Sequence, residues 1–287
     1  MAKNRKDEHY PVVRAGRIDY TGPALTPQYE INIEQYLSKV NRRLYRQSRC
    51  YDVKLDIDAN STQTYNVFVL NDSWMTERAL KMAFDMYMEN SEAARDRLKD
   101  NAIARWEDFR VISGTNFQQG NPAQYGLPTL TPVQLANGEF SITEVEDAAG
   151  TSKTFTFGGA TATKYSILGE YDKAGNAQDA PNTSTGDMPY DSLMADDSAA
   201  MAADLQTRGN KPPYDQNGVH ADRQWVKVAT LSAGTSQRLS TGFFKAPVGF
   251  VIITAGANQD ELVDVSKIEW TVKGGDYKGV HAPTLLE

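Results

Sequence analysis

The chain has 287 residues, 40% of them hydrophobic and 23% charged, with a net charge of −7. These proportions exclude a disordered or coiled-coil polypeptide and leave room for a sizeable core. The single cysteine, Cys50, excludes an internal disulfide and reads as a small buried hydrophobe.

The start, MAKNRKDEHYPVV, is charged where a secretory leader carries its apolar core, so no signal peptide is expected. Charge is unevenly spread: residues 1–54 hold eleven Lys or Arg against six acids, a net +5, which leaves −12 on the remainder. A mildly basic front on an acidic body implies two differently charged surfaces.

Residues 1–30 contain Pro11, Pro23 and Pro27 with little periodicity, the pattern of an extended arm. From Ile33 the spacing of Ile33, Leu37, Val40 and Leu44 predicts a helix, with Asn32 and Gln35 as a capping box. Arg42, Arg43, Arg46 and Arg49 then fall in its last turn, where the helix dipole favours an exposed cation by about 0.3–1 kcal/mol. Tyr51, Val53, Leu55 and Ile57 alternate with Asp52, Lys54, Asp56 and Asp58, a strand with one dry face. ANSTQ supplies a turn and Thr64 to Leu70 the returning strand.

Asp72 or Ser73 caps a predicted helix carrying Met75, Ala79, Met82 and Met86 on one face. Ser91 starts a second helix, and RWEDFRVI returns to strand. Thereafter EFSITEV, KTFTFG, KYSILGEY, RQWVKVATL, VGFVIITA and SKIEWTVKG read as strands bounded by turn residues. VGFVIITAGA is about half the length a membrane-spanning helix needs, so it reads as a buried strand and no membrane span is expected.

Many short strands without regular βα alternation predict a mainly β protein, an antiparallel jelly roll or β-sandwich with a few helices inserted between strands. The expected organisation is an arm over residues 1–30 and a single jelly-roll domain over 31–287, with a helical insertion at about 72–104. A long loop excursion follows at about 172–222, within which Met194, Met201 and Leu205 are spaced for a short helix.

Sequence motifs for chemistry are sparse. His9, His220 and His281 are isolated, and no Walker A loop, GxGxxG or GxSxG is present, so neither a catalytic site nor a metal or other cofactor is expected. Asp56, Asp58 and Asn60 begin like a calcium loop, but Ser61 and Val67 stand where Gly and Glu are needed, and a polar hairpin turn fits better. Trp74, Trp106, Trp225 and Trp270 lie in patterned segments and are expected in the core.

Two segments carry a resemblance: YNVFVLNDSWMTERALKMAFDMYMENSEAARDRLKDNAIARWEDFRV, and APVGFVIITAG followed by IEWTVKGGDYKGVHAP. Together they resemble capsid proteins of small circular single-stranded DNA viruses, chiefly environmental ones. The resemblance implies a jelly-roll coat subunit, many copies closing into a virion shell around a single-stranded DNA genome. It places the basic face on Lys3, Arg5, Lys6, Arg42, Arg43, Arg46 and Arg49. The short, mixed-charge start departs from the long basic arm such coat proteins often have. The alternatives are a non-catalytic β-sandwich binding module for carbohydrate or another surface ligand, using Tyr125, Tyr171 and Tyr190, and a two-carboxylate glycan-processing enzyme.

Overall fold

A computed structural model describes residues 11–19, 28–98, 108–113, 143–147, 149–176, 225–234, 237–256 and 261–286; for 172–176 it describes the backbone alone. Two four-stranded antiparallel sheets form the body. The first runs β1 (Ala15–Asp19), β11 (Val265–Val272), β3 (Cys50–Ala59), β9 (Arg238–Pro247). The second runs β2 (Gln28–Asn32), β10 (Phe250–Ala255), β4 (Thr64–Leu70), β8 (Trp225–Ser232). The chain changes sheet at every step from β1 to β4, remains in the second sheet from β4 to β8, and changes at every step again to β11. This is the eight-stranded connectivity of a jelly roll.

Burial along the strands shows what each sheet faces. In β3 the apolar residues Val53, Leu55 and Ile57 are buried while Asp52, Lys54, Asp56 and Asp58 lie half-buried on the other face. In β10 every residue is buried, because the second sheet is covered on both sides. Val251 and Ile253 meet Val53, Leu55, Ile57 and Trp270 between the sheets. Phe250 and Ile252 face outward into a second core with Phe68, Leu80, Phe155 and Phe157.

The layer that makes this second core comes from the stretch between β4 and β8. It holds α2 (Trp74–Arg97), a small sheet of β5 (Glu144–Glu146), β6 (Ser152–Thr156) and β7 (Lys164–Ser166), and α3 (Ile167–Asn176). The Ser73 side chain caps α2 by accepting from the Thr76 amide at 3.4 Å. The helix then runs through Ser91 without a break, so the two helices expected there are one. KYSILGEY is a strand only as far as Ser166, whose Oγ accepts from the Gly169 amide at 3.1 Å and turns the chain into α3.

Other expectations also change. Residues 15–19 and 28–30, read as parts of an extended arm, lie in edge strands paired to β11 and β10. The helix from Ile33, α1 (Ile33–Asn41), has no side-chain cap from Asn32; the Gly249 carbonyl accepts from the Ile33 amide at 2.9 Å instead. Trp225 and Trp270 are core residues, but Trp74 is 60% exposed. Trp106 and most of the 172–222 excursion, including Met194, Met201 and Leu205, lie outside the described residues. Cys50 is buried as expected, with its thiol pushed up to about 12 by burial.

Candidate nucleic-acid interface

The four arginines do not share a helical turn. Arg42 ends α1 in the left-handed conformation at φ 50°, leaving Lys39 as the basic residue of the last turn. Arg43, Arg46 and Arg49 lie on the connection to β3, and the turn around Tyr277 and Lys278 packs against it. Tyr45, fully buried, donates its hydroxyl to the Lys278 carbonyl at 2.9 Å. Tyr51 donates to the Arg46 carbonyl at 2.7 Å, and the Arg46 amide donates to the Tyr277 hydroxyl at 3.3 Å. Lys278 Nζ donates to the Leu44 carbonyl.

The Arg46 backbone is therefore fixed by Tyr51 and Tyr277, that of Arg43 by the Ser38 carbonyl and that of Arg49 by the Val248 amide. Arg42, Arg43 and Arg46 are exposed; Arg49 is half-buried, its guanidinium 4.0 Å from the Tyr277 ring centre and donating to the Ala282 carbonyl at 3.1 Å. Lys278 is held below its ordinary value by burial and then by Arg46, with Arg49 and Arg43 adding to the effect and Asp108 opposing it. Several cations thus act on one another around an aromatic floor, an arrangement suited to phosphate and to base stacking. Lys3, Arg5 and Lys6 lie outside the described residues.

The neighbouring outer face of the first sheet is charged but balanced. Lys267 bridges Asp58 at 2.9 Å and Glu269 at 3.0 Å; Arg238 pairs with Glu269 at 3.1 Å and Lys54 with Asp56 at 3.1 Å. Asp56 and Asp58 are thereby strand residues in ion pairs; Asn60 donates to Asp264 at 2.9 Å from a turn that crosses from one sheet to the other, not from the hairpin expected there.

A second constellation escaped the sequence reading. Glu30 on β2 and Glu34 on α1 are buried under residues 108–113 of the covering layer, together with Arg110 at 1% exposure. Arg110 Nη1 stands 3.7 Å from Glu34 Oε1. Gln47 Nε2 donates to Glu34 Oε1 at 3.3 Å, and Ser113 donates to Glu30 Oε2 at 2.5 Å. Burial pushes both glutamates up to about 7; the Ser113 bond opposes this at Glu30 and the Arg110 charge at Glu34. Burial likewise raises Asp108 and lowers Arg110, although a guanidinium keeps its proton. The arginine at 110, between Phe109 and Val111, was the one local signal; Glu30 alternates with Tyr29 and Ile31 as a solvent-facing residue would, and nothing local said the two would meet.

A cleft of about 400 Å³ lies between α2 and α3, lined by Ala79, Met82, Met86, Phe155, Ile167 and Tyr171. Tyr171 stacks edge-on with Trp74 at 6.4 Å; Tyr125 and Tyr190 lie outside the described residues. Among the described residues no group of three or more His, Cys, Asp or Glu side chains is placed to hold a metal ion, and no helix is long and apolar enough to cross a membrane. No protein-family model, curated protein or solved structure matches the chain.

Proposed function

We propose that this chain is a structural coat subunit that associates with copies of itself into a virion shell around a nucleic-acid genome, and that it performs no catalysis. The observation that carries the reading is the jelly-roll connectivity β1-β11-β3-β9 against β2-β10-β4-β8, an architecture that recurs in viral capsid proteins as well as in lectins and cupins. Several features favour the coat role. The space between the sheets is packed with Tyr51, Val53, Leu55, Ile57, Ile268 and Trp270, a solid slab instead of a ligand-holding barrel. The edge strands β8 and β9 expose Val226, Val228 and Phe243, apolar surface available to a neighbouring copy. Genome contact falls mainly to the exposed Arg43 and Arg46, since weak phosphate contacts repeated over many subunits retain a polyanion that one subunit binds poorly.

Sedimentation and electron microscopy of the purified chain test this. Uniform shells or tubes are expected, and a monomer that binds glycans at high protein concentration overturns the reading.

A further inference from the structure

We propose that residues 108–113 form a proton-dependent clasp joining the covering layer to the sandwich, closed while the buried carboxyls beneath it hold protons and loosened as Glu30 ionises. The inference stands apart from the coat reading, because every group in it belongs to one chain.

The segment is held on two sides. Toward the sandwich, the Val111 amide donates to Gln47 Oε1 at 2.7 Å, Gln47 Nε2 donates to the Val111 carbonyl at 3.2 Å, and Ser113 binds Glu30. Toward the small sheet, the Ile112 amide donates to the Phe155 carbonyl at 3.0 Å, and the Phe157 amide donates to the Ile112 carbonyl at 3.0 Å. Thr143 adds a third tie: its hydroxyl accepts from the Arg110 amide at 2.8 Å and its amide donates to the Arg110 carbonyl at 3.1 Å. Loosening 108–113 from β2 and α1 therefore removes one of the ties between β6 and the body, the other being the packing of Phe155 and Phe157 in the second core.

The cations beneath the clasp are unevenly shared among its carboxyls. Glu34 faces Arg110 and Asp108 from the clasp, Gln47 from the connection after α1, and Tyr51 from β3. Asp108 faces Arg110 and Arg46 and, more weakly, Tyr277 and Lys278. Glu30 faces Glu34, with Ser113 and Asn32 as its hydrogen-bond partners. Asp108 has Arg110 and Arg46 facing it, and Glu34 has Arg110. Among the described residues Glu30 faces another carboxyl and no cation, so its ionisation leaves a buried charge uncompensated. Lifting Ser113 and its backbone away lets water reach that carboxylate. The elevated affinity of Glu30 and Glu34 for protons, at about 7, sets the opening near neutral pH.

Hydrogen exchange of the Val111 amide, whose bond to Gln47 crosses the joint, corrected for intrinsic rates and measured at pH 6 and pH 8.5, tests the clasp on the full chain. Protection is expected to fall about tenfold or more at the higher pH, since one unit of pKa shift corresponds to a factor of ten. Glu30→Gln, a neutral isostere of the protonated acid, should shrink the difference to the part that Glu34 leaves. Ser113→Ala removes the donor that favours the carboxylate, and should move the midpoint of opening to higher pH. Equal protection of the native chain at both pH values overturns the proposal whatever the variants do. So does a Glu30→Gln chain that loses protection as the native chain does, or a Ser113→Ala midpoint that stays put or moves down.

Discussion

Gln47 and Val111 exchange two hydrogen bonds, side-chain amide against backbone amide, across the joint between the sandwich and its covering layer. Both residues are buried, so neither partner finds water if the other is lost. Gln47→Leu keeps the volume and leaves the Val111 amide and carbonyl unpaired. Each orphaned buried group costs about 1–3 kcal/mol, so a loss of about 2–3 kcal/mol in urea unfolding is expected after partial relaxation. A loss under about 0.5 kcal/mol means that water or another group replaces the side chain.

Stability should decline from mildly acidic to mildly alkaline pH. Glu30 and Glu34 titrate at about 7 in the folded chain, against an ordinary value of about 4.3 unfolded. Between those values the folded chain binds more protons. Their contribution is therefore fully present below about pH 4, lost progressively as pH rises to about 7, and absent above. Asp147 works in the opposite sense: bonds from the Thr151 amide and Lys153 hold it below its ordinary range, so its contribution is lost only as pH falls through that lower range. The two trends leave an optimum in mild acid. Unfolding free energies from urea titrations at pH 5.5 and pH 8 should differ by about 2–4 kcal/mol in favour of pH 5.5, and Glu30→Gln should narrow the gap.

Two glycines separate backbone need from mere smallness. Gly249 turns β9 into β10 at φ +80°, and a Cβ there would lie 2.9 Å from Glu34 Oε2 and 3.2 Å from the Glu34 amide nitrogen. The same residue offers its carbonyl to the start of α1. Gly249→Ala therefore strains a turn, a helix start and the buried carboxylate together, and a destabilisation of about 2 kcal/mol or more is expected. Gly234 has open space around a Cβ, so Gly234→Ala should stay within about 0.5 kcal/mol of the native chain by thermal or urea unfolding. Similar losses at both positions contradict this account.

The difference between β3 and β10 was already visible as letters: alternation where one face meets solvent, an unbroken apolar run where both faces are covered. What covers β10 was not visible, because the layer is assembled from α2, α3 and residues 108–113, remote in sequence from the strand they bury. Glu30 shows the consequence. Between Gln28 and Asn32 it has the spacing of a wet face, and only the covering layer makes that face dry. The arginines misled for a related reason. Their spacing at 42, 46 and 49 matches a helix, but the left-handed residue at 42 ends the helix, and the floor that organises them, Tyr277 and Lys278, comes from the far end of the chain.

That geometry also divides the arginines by expected effect. Arg43 and Arg46 present exposed heads, whereas Arg49 is spent on Tyr277 and the Ala282 carbonyl, and Arg42 serves as the end of α1. Arg43→Gln with Arg46→Gln should leave folding within about 0.5 kcal/mol of the native chain, as surface changes usually do. Binding to single-stranded DNA should weaken, and the slope of log affinity against log salt should shrink by about 1.4, roughly 0.7 for each phosphate contact removed. Arg49→Gln should behave in reverse, costing about 1 kcal/mol of stability through the lost ring contact and carbonyl bond, with a smaller change in salt slope. On the proposed coat role, particles of the double variant should carry less nuclease-protected DNA at an undiminished yield of shells. An unchanged salt slope in the double variant would mean that Arg43 and Arg46 touch no phosphate, and would leave the exposed cations as a device for keeping neighbouring subunits apart or aligned.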